Sequence, residues 1–190
     1  MKKDIENYIK ESIAAKEDLL KSQVVNIESA AKVIIESFKS GKKLLVFGNG
    51  GSASDSQHIA AELVGRFKME RKALPAVALT ANTSILTAIA NDYGYDVVFS
   101  RQIEALGVQG DVALGLSTSG NSKNVIEALK KARSIGMKAI ALSGGDGGSV
   151  SREADISIVV ATKDTPRVQE SHILIAHIIC ALVEDGIFKK

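Results

Sequence analysis

The sequence predicts an α/β fold, a doubly wound three-layer sandwich with a central parallel sheet, preceded by a helical segment. Three observations predict it. The apolar runs LLVF (44–47), AVAL (76–79), DVALGL (111–116), KAIAL (138–142) and ISIVV (156–160) are continuous rather than alternating, as in strands buried on both faces. Stretches with helical periodicity separate them, the rhythm of a parallel sheet with covering helices. After the first and third runs the chain turns through segments rich in glycine and hydroxyls, where such sheets hold their ligands.

Taken in order, Ile5, Ile9 and Ile13, then Val25, Ile27, Ala31, Ile34, Ile35 and Phe38, recur at near-helical spacing and read as two helices, the second stopped by Gly41. A helix ahead of the first strand has no strand of its own to cover. Part of this apolar stripe is therefore expected to be buried against another subunit. The first strand leads to a helix over 52–67, the second to a helical segment from Thr83, interrupted by the acidic, aromatic loop NDYGYD (91–96). The third leads to a helix over 122–135, and after the fourth and fifth a last helix covers about 165–188. The reading is one domain over 1–190, with 1–41 used in oligomer packing and 42–190 forming the α/β core.

Composition narrows the function. Lys+Arg 24 against Asp+Glu 22 leaves a net charge of +2, with no broad basic face for nucleic acid. Cys180 is the single cysteine, which excludes an internal disulfide framework and a Cys-based structural zinc site and fits a reducing cytoplasm. The charged start, MKKDIENYIKESIAAKEDLLKS, has the pattern of neither a signal nor a transit peptide. The longest apolar stretch, 173–183, contains His177 and falls short of the roughly 20 residues of a membrane span.

The first loop, Gly48-Asn49-Gly50-Gly51-Ser52-Ala53, follows a strand and opens a helix, so backbone amides and the helix N-terminus can approach an anion. It loosely matches a dinucleotide fingerprint, yet the second strand ends in Thr80-Ala81-Asn82 without the expected acid. A nicotinamide cofactor is disfavoured, and the glycines would otherwise serve only a tight turn. The third-strand loop, Ser117-Thr118-Ser119-Gly120-Asn121-Ser122, gathers four hydroxyls at a helix start where one would suffice as a cap. Hydroxyls and helix amides together suit a phosphate monoester, and the lack of a lysine in the loop argues against a nucleotide P-loop. A sugar phosphate is the natural ligand.

Past the glycine loop, His58 and Glu62 stand at i, i+4 on one helix face, with Gln57 beside them; a solvated surface pair is the bland alternative. The last helix carries Arg167, Gln169, Glu170, His172 and His177. His172 and His177 are about 140° apart, so they do not share a face. The apolar neighbours of His177 suggest burial, and a lone buried histidine is usually a core residue. Helix arithmetic pairs His177 with Glu170, while Gln169 lies about 80° round; periodicity leaves the choice open.

GNGGSASDSQHIAAELVGRF, AIANDYGYDVVFSRQIEALGVQGDV, LSTSGNSKNVIEALKKARSIGMK and TPRVQESHILIAHII together resemble the phosphoheptose isomerases of the sugar-isomerase (SIS) domain superfamily. The resemblance covers nearly the whole chain from Lys42 onward. It implies a cytoplasmic homotetramer that converts sedoheptulose 7-phosphate to D-glycero-D-manno-heptose 7-phosphate, the first step of ADP- or GDP-heptose biosynthesis for surface polysaccharides such as lipopolysaccharide. Carried over by position, it makes Glu62 and His177 the acid–base pair acting through an enediol. Ser117, Thr118, Ser119 and Ser122 hold the phosphate, Asn49, Gly50, Gly51 and Ser52 the sugar end, and Asn91 and Asp92 further hydroxyls. It also implies one zinc per subunit on His58, Glu62, Gln169 and His177, choosing Gln169 over Glu170, with Gln169 reaching substrate as well. No nucleotide cofactor, nucleic acid or membrane is expected.

Two other classes share this fold. A non-catalytic SIS-domain protein that binds a replication initiator or another protein need not keep acid–base residues, and this chain has both Glu62 and His177. A sugar-phosphate-sensing transcription regulator needs a DNA-binding domain, and residues 1–41 carry no recognition-helix signature.

Overall fold

A computed structural model describes residues 1–189. Five parallel strands form one sheet in the order β2-β1-β3-β4-β5, with β1 Leu44–Gly48, β2 Ala76–Ala78, β3 Val112–Ser117, β4 Lys138–Gly144 and β5 Ile156–Val160. Leu44 stands level with Ala76 on one side and Val112 on the other. The strands are apolar throughout because both faces are covered. Leu44, Val46, Leu114 and Leu116 pack with α2 (Val24–Lys39), α3 (Gly51–Val64) and α8 (Thr165–Phe188). Leu45, Phe47, Ala113 and Ala141 point the other way, toward α5 (Val98–Leu106) and α6 (Lys123–Ser134). On β3 and β4 that second face is lined by small residues, Ala113, Gly115, Ala139 and Ala141. A Cβ on Gly115 would lie 2.9 Å from Val125 and 3.1 Å from Phe47, so its absence lets α6 sit close to the sheet.

The chain order reverses beside β1. The loop after β1 feeds α3 on one face, and the loop after β3 feeds α6 on the other, which opens a crevice between them at the carboxyl ends of the strands. Both segments singled out in the sequence flank that crevice.

Several element boundaries differ from the periodicity. The helix expected over 52–67 ends at Val64, because the Arg71 guanidinium binds the carbonyls of Glu62, Leu63 and Gly65. The segment from Thr83 is two helices, α4 (Thr83–Tyr93) and α5, joined by a 3-10 turn at Tyr95–Val97. Asn91 and Asp92 thus stand in the last turn of a helix and not in a loop. A short helix α7 (Gly148–Arg152) lies between β4 and β5.

The N-terminal segment divides in its packing. α2 does have a sheet to cover, since Ile27, Ala30, Ile34 and Phe38 join the core and α2 lies along α8, so the expectation that a helix ahead of β1 lacks a partner fails for it. In α1 (Lys2–Ser22) Leu19 is buried, whereas Ile5, Ile9 and Ile13 are 51–59% exposed within the chain. α8 is long and apolar enough by length and composition to cross a membrane, contrary to the shorter apolar stretch read from sequence. It is a core helix: Val168, Ile175, Ile179 and Val183 are buried against the sheet and its neighbouring helices.

Among the described residues the fully buried histidine is His172, and neither of its ring nitrogens has a hydrogen-bond partner there. Burial pushes its pKa down to about 4, and the nearby Ser143 backbone, short of a well-formed hydrogen bond, offsets this only in part. Between about pH 4 and 6.5 the unfolded chain therefore carries a proton here that the folded chain excludes, so stability rises with pH across that window and falls on acidification, by at most about 3 kcal/mol. His172→Leu should flatten the pH dependence of the melting temperature over this range. Parallel curves for variant and wild type would assign the acid sensitivity to other groups.

Candidate active site

β1 ends at Gly48, where a Cβ would lie 2.8 Å from that of Ser52 and 2.9 Å from the Leu116 carbonyl oxygen. The chain turns at Gly50 and α3 begins at once, with the Ser52 amide donating to the Asn49 carbonyl and Ser52 itself buried in the first turn. Asn49 is fixed from the other loop. It exchanges a pair of amide hydrogen bonds, each 2.9 Å, with Asn124 in the first turn of α6, and the Tyr95 hydroxyl donates to its Oδ1 at 3.4 Å. The two crevice loops are thus joined side chain to side chain. In the sequence Tyr95 is marked only as part of NDYGYD and Asn124 not at all, because nothing local marks a residue that bonds across strands.

In the hydroxyl loop, Ser117 is buried at the end of β3 and donates to the Ser122 hydroxyl at 3.0 Å; the Ser119 hydroxyl accepts from the Asn121 amide at 3.2 Å. The loop opens into a cleft lined by Thr118, Ser119, Asn121, Asp146, Lys163 and Thr165, along with Gly144 and Gly145. The loop has no lysine of its own, but the β5–α8 connection brings Lys163 to it. Gly120 has a left-handed φ of 67°, and a Cβ there would lie 2.5 Å from the Gly147 carbonyl oxygen.

Beyond the crevice α3 and α8 lie together. His58 Nε2 is 3.0 Å from His177 Nε2 and 3.2 Å from Glu62 Oε1. His177, expected in the core, is only half-buried, because the rotation that turns His172 inward brings His177 toward α3. The Phe67 ring, from the segment after α3, stacks on His177 with centroids 5.4 Å apart and planes at 26°. One turn before His58, burial raises the pKa of Asp55, with His58 opposing; its Oδ2 has no hydrogen-bond partner among the described residues.

Gln169 and Glu170 face different neighbours. The Gln169 amide lies where a Cβ of Gly51 would be, so it faces the glycine turn. Glu170 faces α1 and accepts from the Ser12 hydroxyl and Arg167, each at 2.7 Å; the Ser12 bond, then Arg167, hold its carboxyl below the usual range. Asn91 and Asp92 are exposed and bonded to each other at 2.8 Å, with no hydrogen bond to either loop among the described residues.

The donor set suits a metal ion. One atom each from His58, Glu62 and His177 lies within 4.8 Å of the others. The 3.0 Å between the imidazole nitrogens is near the roughly 3.3 Å that separates two ligands of a tetrahedral zinc ion.

A family model described as the SIS domain matches residues 7–144. The phosphoheptose isomerase of Clostridium acetobutylicum is 54% identical over 190 residues, covering 99% of this chain and 97% of that protein. The structure of phosphoheptose isomerase from Neisseria gonorrhoeae superposes with a TM-score of 0.92 at 45% identity, over 97% of this chain and 98% of that one. That from Francisella tularensis gives 0.93 at 37%, over 96% and 97%.

The two glycine turns differ in what a side chain would meet. Gly120→Ala forces a left-handed alanine against backbone and should cost about 2 kcal/mol or more in a denaturant melt. Gly51→Ala meets only the flexible Gln169 amide, so its cost should stay below about 1 kcal/mol while Gln169 swings out of place. Equal destabilisation by both would refute this difference.

Proposed function

The chain belongs to the phosphoheptose isomerases, enzymes of the SIS-domain family, and from that membership we propose that it converts sedoheptulose 7-phosphate to D-glycero-D-manno-heptose 7-phosphate. The observation that carries this reading is the convergence of Glu62 and His177 beside His58, on two helices that reach the crevice between the glycine and hydroxyl loops. Aldose–ketose isomerisation needs one group to take a proton from carbon and another to protonate the neighbouring oxygen. The Glu62 carboxylate takes the proton from C1 of the ketose. The His177 imidazole supplies a proton to the oxygen on C2, which yields the enediol. Glu62 then returns its proton to C2 while His177 recovers one from the oxygen on C1, leaving the aldehyde, with no net gain or loss of protons.

Phosphate binding falls to Ser117, Thr118, Ser119 and Ser122 with the amides that open α6, supported by Lys163 across the cleft. Asn49, Gly50, Gly51 and Ser52, with Gln169 against the turn, take the sugar end, and Asn91 and Asp92 further hydroxyls. His58, Glu62 and His177 would hold a zinc ion, with Gln169 as the remaining ligand from the glycine-turn side. When bound, such an ion supplies electrophilic polarisation of the sugar oxygens.

A cytoplasmic homotetramer completes the proposal; the exposed stripe of Ile5, Ile9 and Ile13 and the solvent-facing His58 support its subunit contacts, with neighbouring subunits covering α1 and closing the site.

An assay of the purified protein with sedoheptulose 7-phosphate, with and without a chelator, tests the reading. Glu62→Gln and His177→Asn should each lower kcat by about 10²–10⁴-fold with the fold intact, and near wild-type turnover in either removes its role. Ser119→Ala should weaken binding of the phosphorylated sugar by about 10-fold or more, the equivalent of one hydrogen bond to a charged group. Unchanged affinity would move the phosphate elsewhere.

A further inference from the structure

We propose that Arg71 and Glu184 form a buried brace that positions the acid–base pair, acting through the Phe67 ring that it seats on His177. The proposal rests on the roles given above to Glu62 and His177. Both charged side chains are 1% exposed. Glu184 lies seven residues beyond His177 on α8, two turns along the same face. Its carboxylate accepts from the amides of Phe67 and Lys68 at 2.9 Å and Met69 at 3.1 Å, and from Arg71 Nε at 2.9 Å. Arg71 donates in turn to the carbonyls of Glu62 at 2.8 Å and Leu63 at 2.7 Å in the last turn of α3 and of the capping Gly65 at 3.1 Å, where a cation also suits the helix dipole.

The helix that carries Glu62 is therefore tied at its end to the helix that carries His177. The same carboxylate fixes the backbone amide of Phe67, whose ring then lies on the imidazole. Stability alone gives little reason for such a pair, since well-packed apolar residues commonly hold a core as well as buried ions do. What ions and a forked guanidinium add is direction: four bonds to Glu184 and three to the end of α3 leave one relative placement of the two helices.

Phe67→Leu, Phe67→Tyr and Glu184→Gln, assayed at steady state with sedoheptulose 7-phosphate beside Glu62→Gln and His177→Asn, separate this from a merely structural role. Phe67→Leu should melt near wild type but lose about 10- to 100-fold in kcat, the scale of a misplaced catalytic group, with KM within about threefold because the phosphate loop is untouched. Phe67→Tyr keeps the stacked ring and should restore kcat to within about threefold. Glu184→Gln should show the same loss in kcat with KM held wherever it folds; Phe67→Leu carries the test if it does not. If Phe67→Leu turns over like wild type while Glu62→Gln and His177→Asn are inactive, the brace is purely structural and the acid–base reading stands. Activity in Glu62→Gln or His177→Asn would overturn that reading, and this inference with it.

Discussion

The docking of α3 on α8 is the contact on which the site depends. The two helices are far apart in sequence and touch at three levels. At the start of α3 the Gln169 amide occupies the space that a side chain on Gly51 would fill. Two turns on, His58 meets His177. Past the end of α3, Arg71 and Glu184 close the contact in the core. A shift of either helix along the other would break all three levels together. The cluster of His58, Glu62 and His177 is thus held by features at both ends of the helices as well as by its own contacts.

The crevice owes its chemistry to the strand order. Because β1 lies between β2 and β3, its loop and that of β3 lead to opposite faces, and the space between them is lined by backbone amides and short polar side chains. Anion recognition at such a place needs few charges. That agrees with a chain whose net charge is only +2, and with a cleft lined by one ammonium, Lys163 from the β5–α8 connection, and one carboxylate, Asp146. The Asn49–Asn124 amide pair holds the two loops in fixed relation across the crevice.

The N-terminal helices serve two different ends. α2 completes the layer that covers the sheet beside α8, and its apolar face is used up within the chain. The first half of α1 leaves its isoleucines in solvent while Arg167 of α8 donates to the Tyr8 carbonyl and Ser12 donates to Glu170. α1 is therefore anchored to the helix that carries His177 by polar contacts, with its apolar stripe turned outward.

The sequence by itself determined the strands, most of the helices and the residue types of the two loops. Five continuous apolar runs required a sheet covered on both faces, and the residues of the glycine and hydroxyl loops stated their preference for an anion without reference to the rest of the fold. The His58–Glu62 pair was equally legible, since i, i+4 spacing on one helix is a local fact. Everything that joins distant segments was decided by tertiary structure. Helix arithmetic favoured Glu170 and suggested a buried His177; the packed helix turns Glu170 to α1, His172 to the core, and Gln169 and His177 to α3. The end of α3 at Val64 is set by Arg71 and Glu184, and Phe67, Asn124 and Lys163 join the site only across element boundaries. The physical reason is common to them all. Periodicity fixes which residues share a face of a helix, while the rotation of that face toward its neighbours is fixed only by the packing of the whole chain.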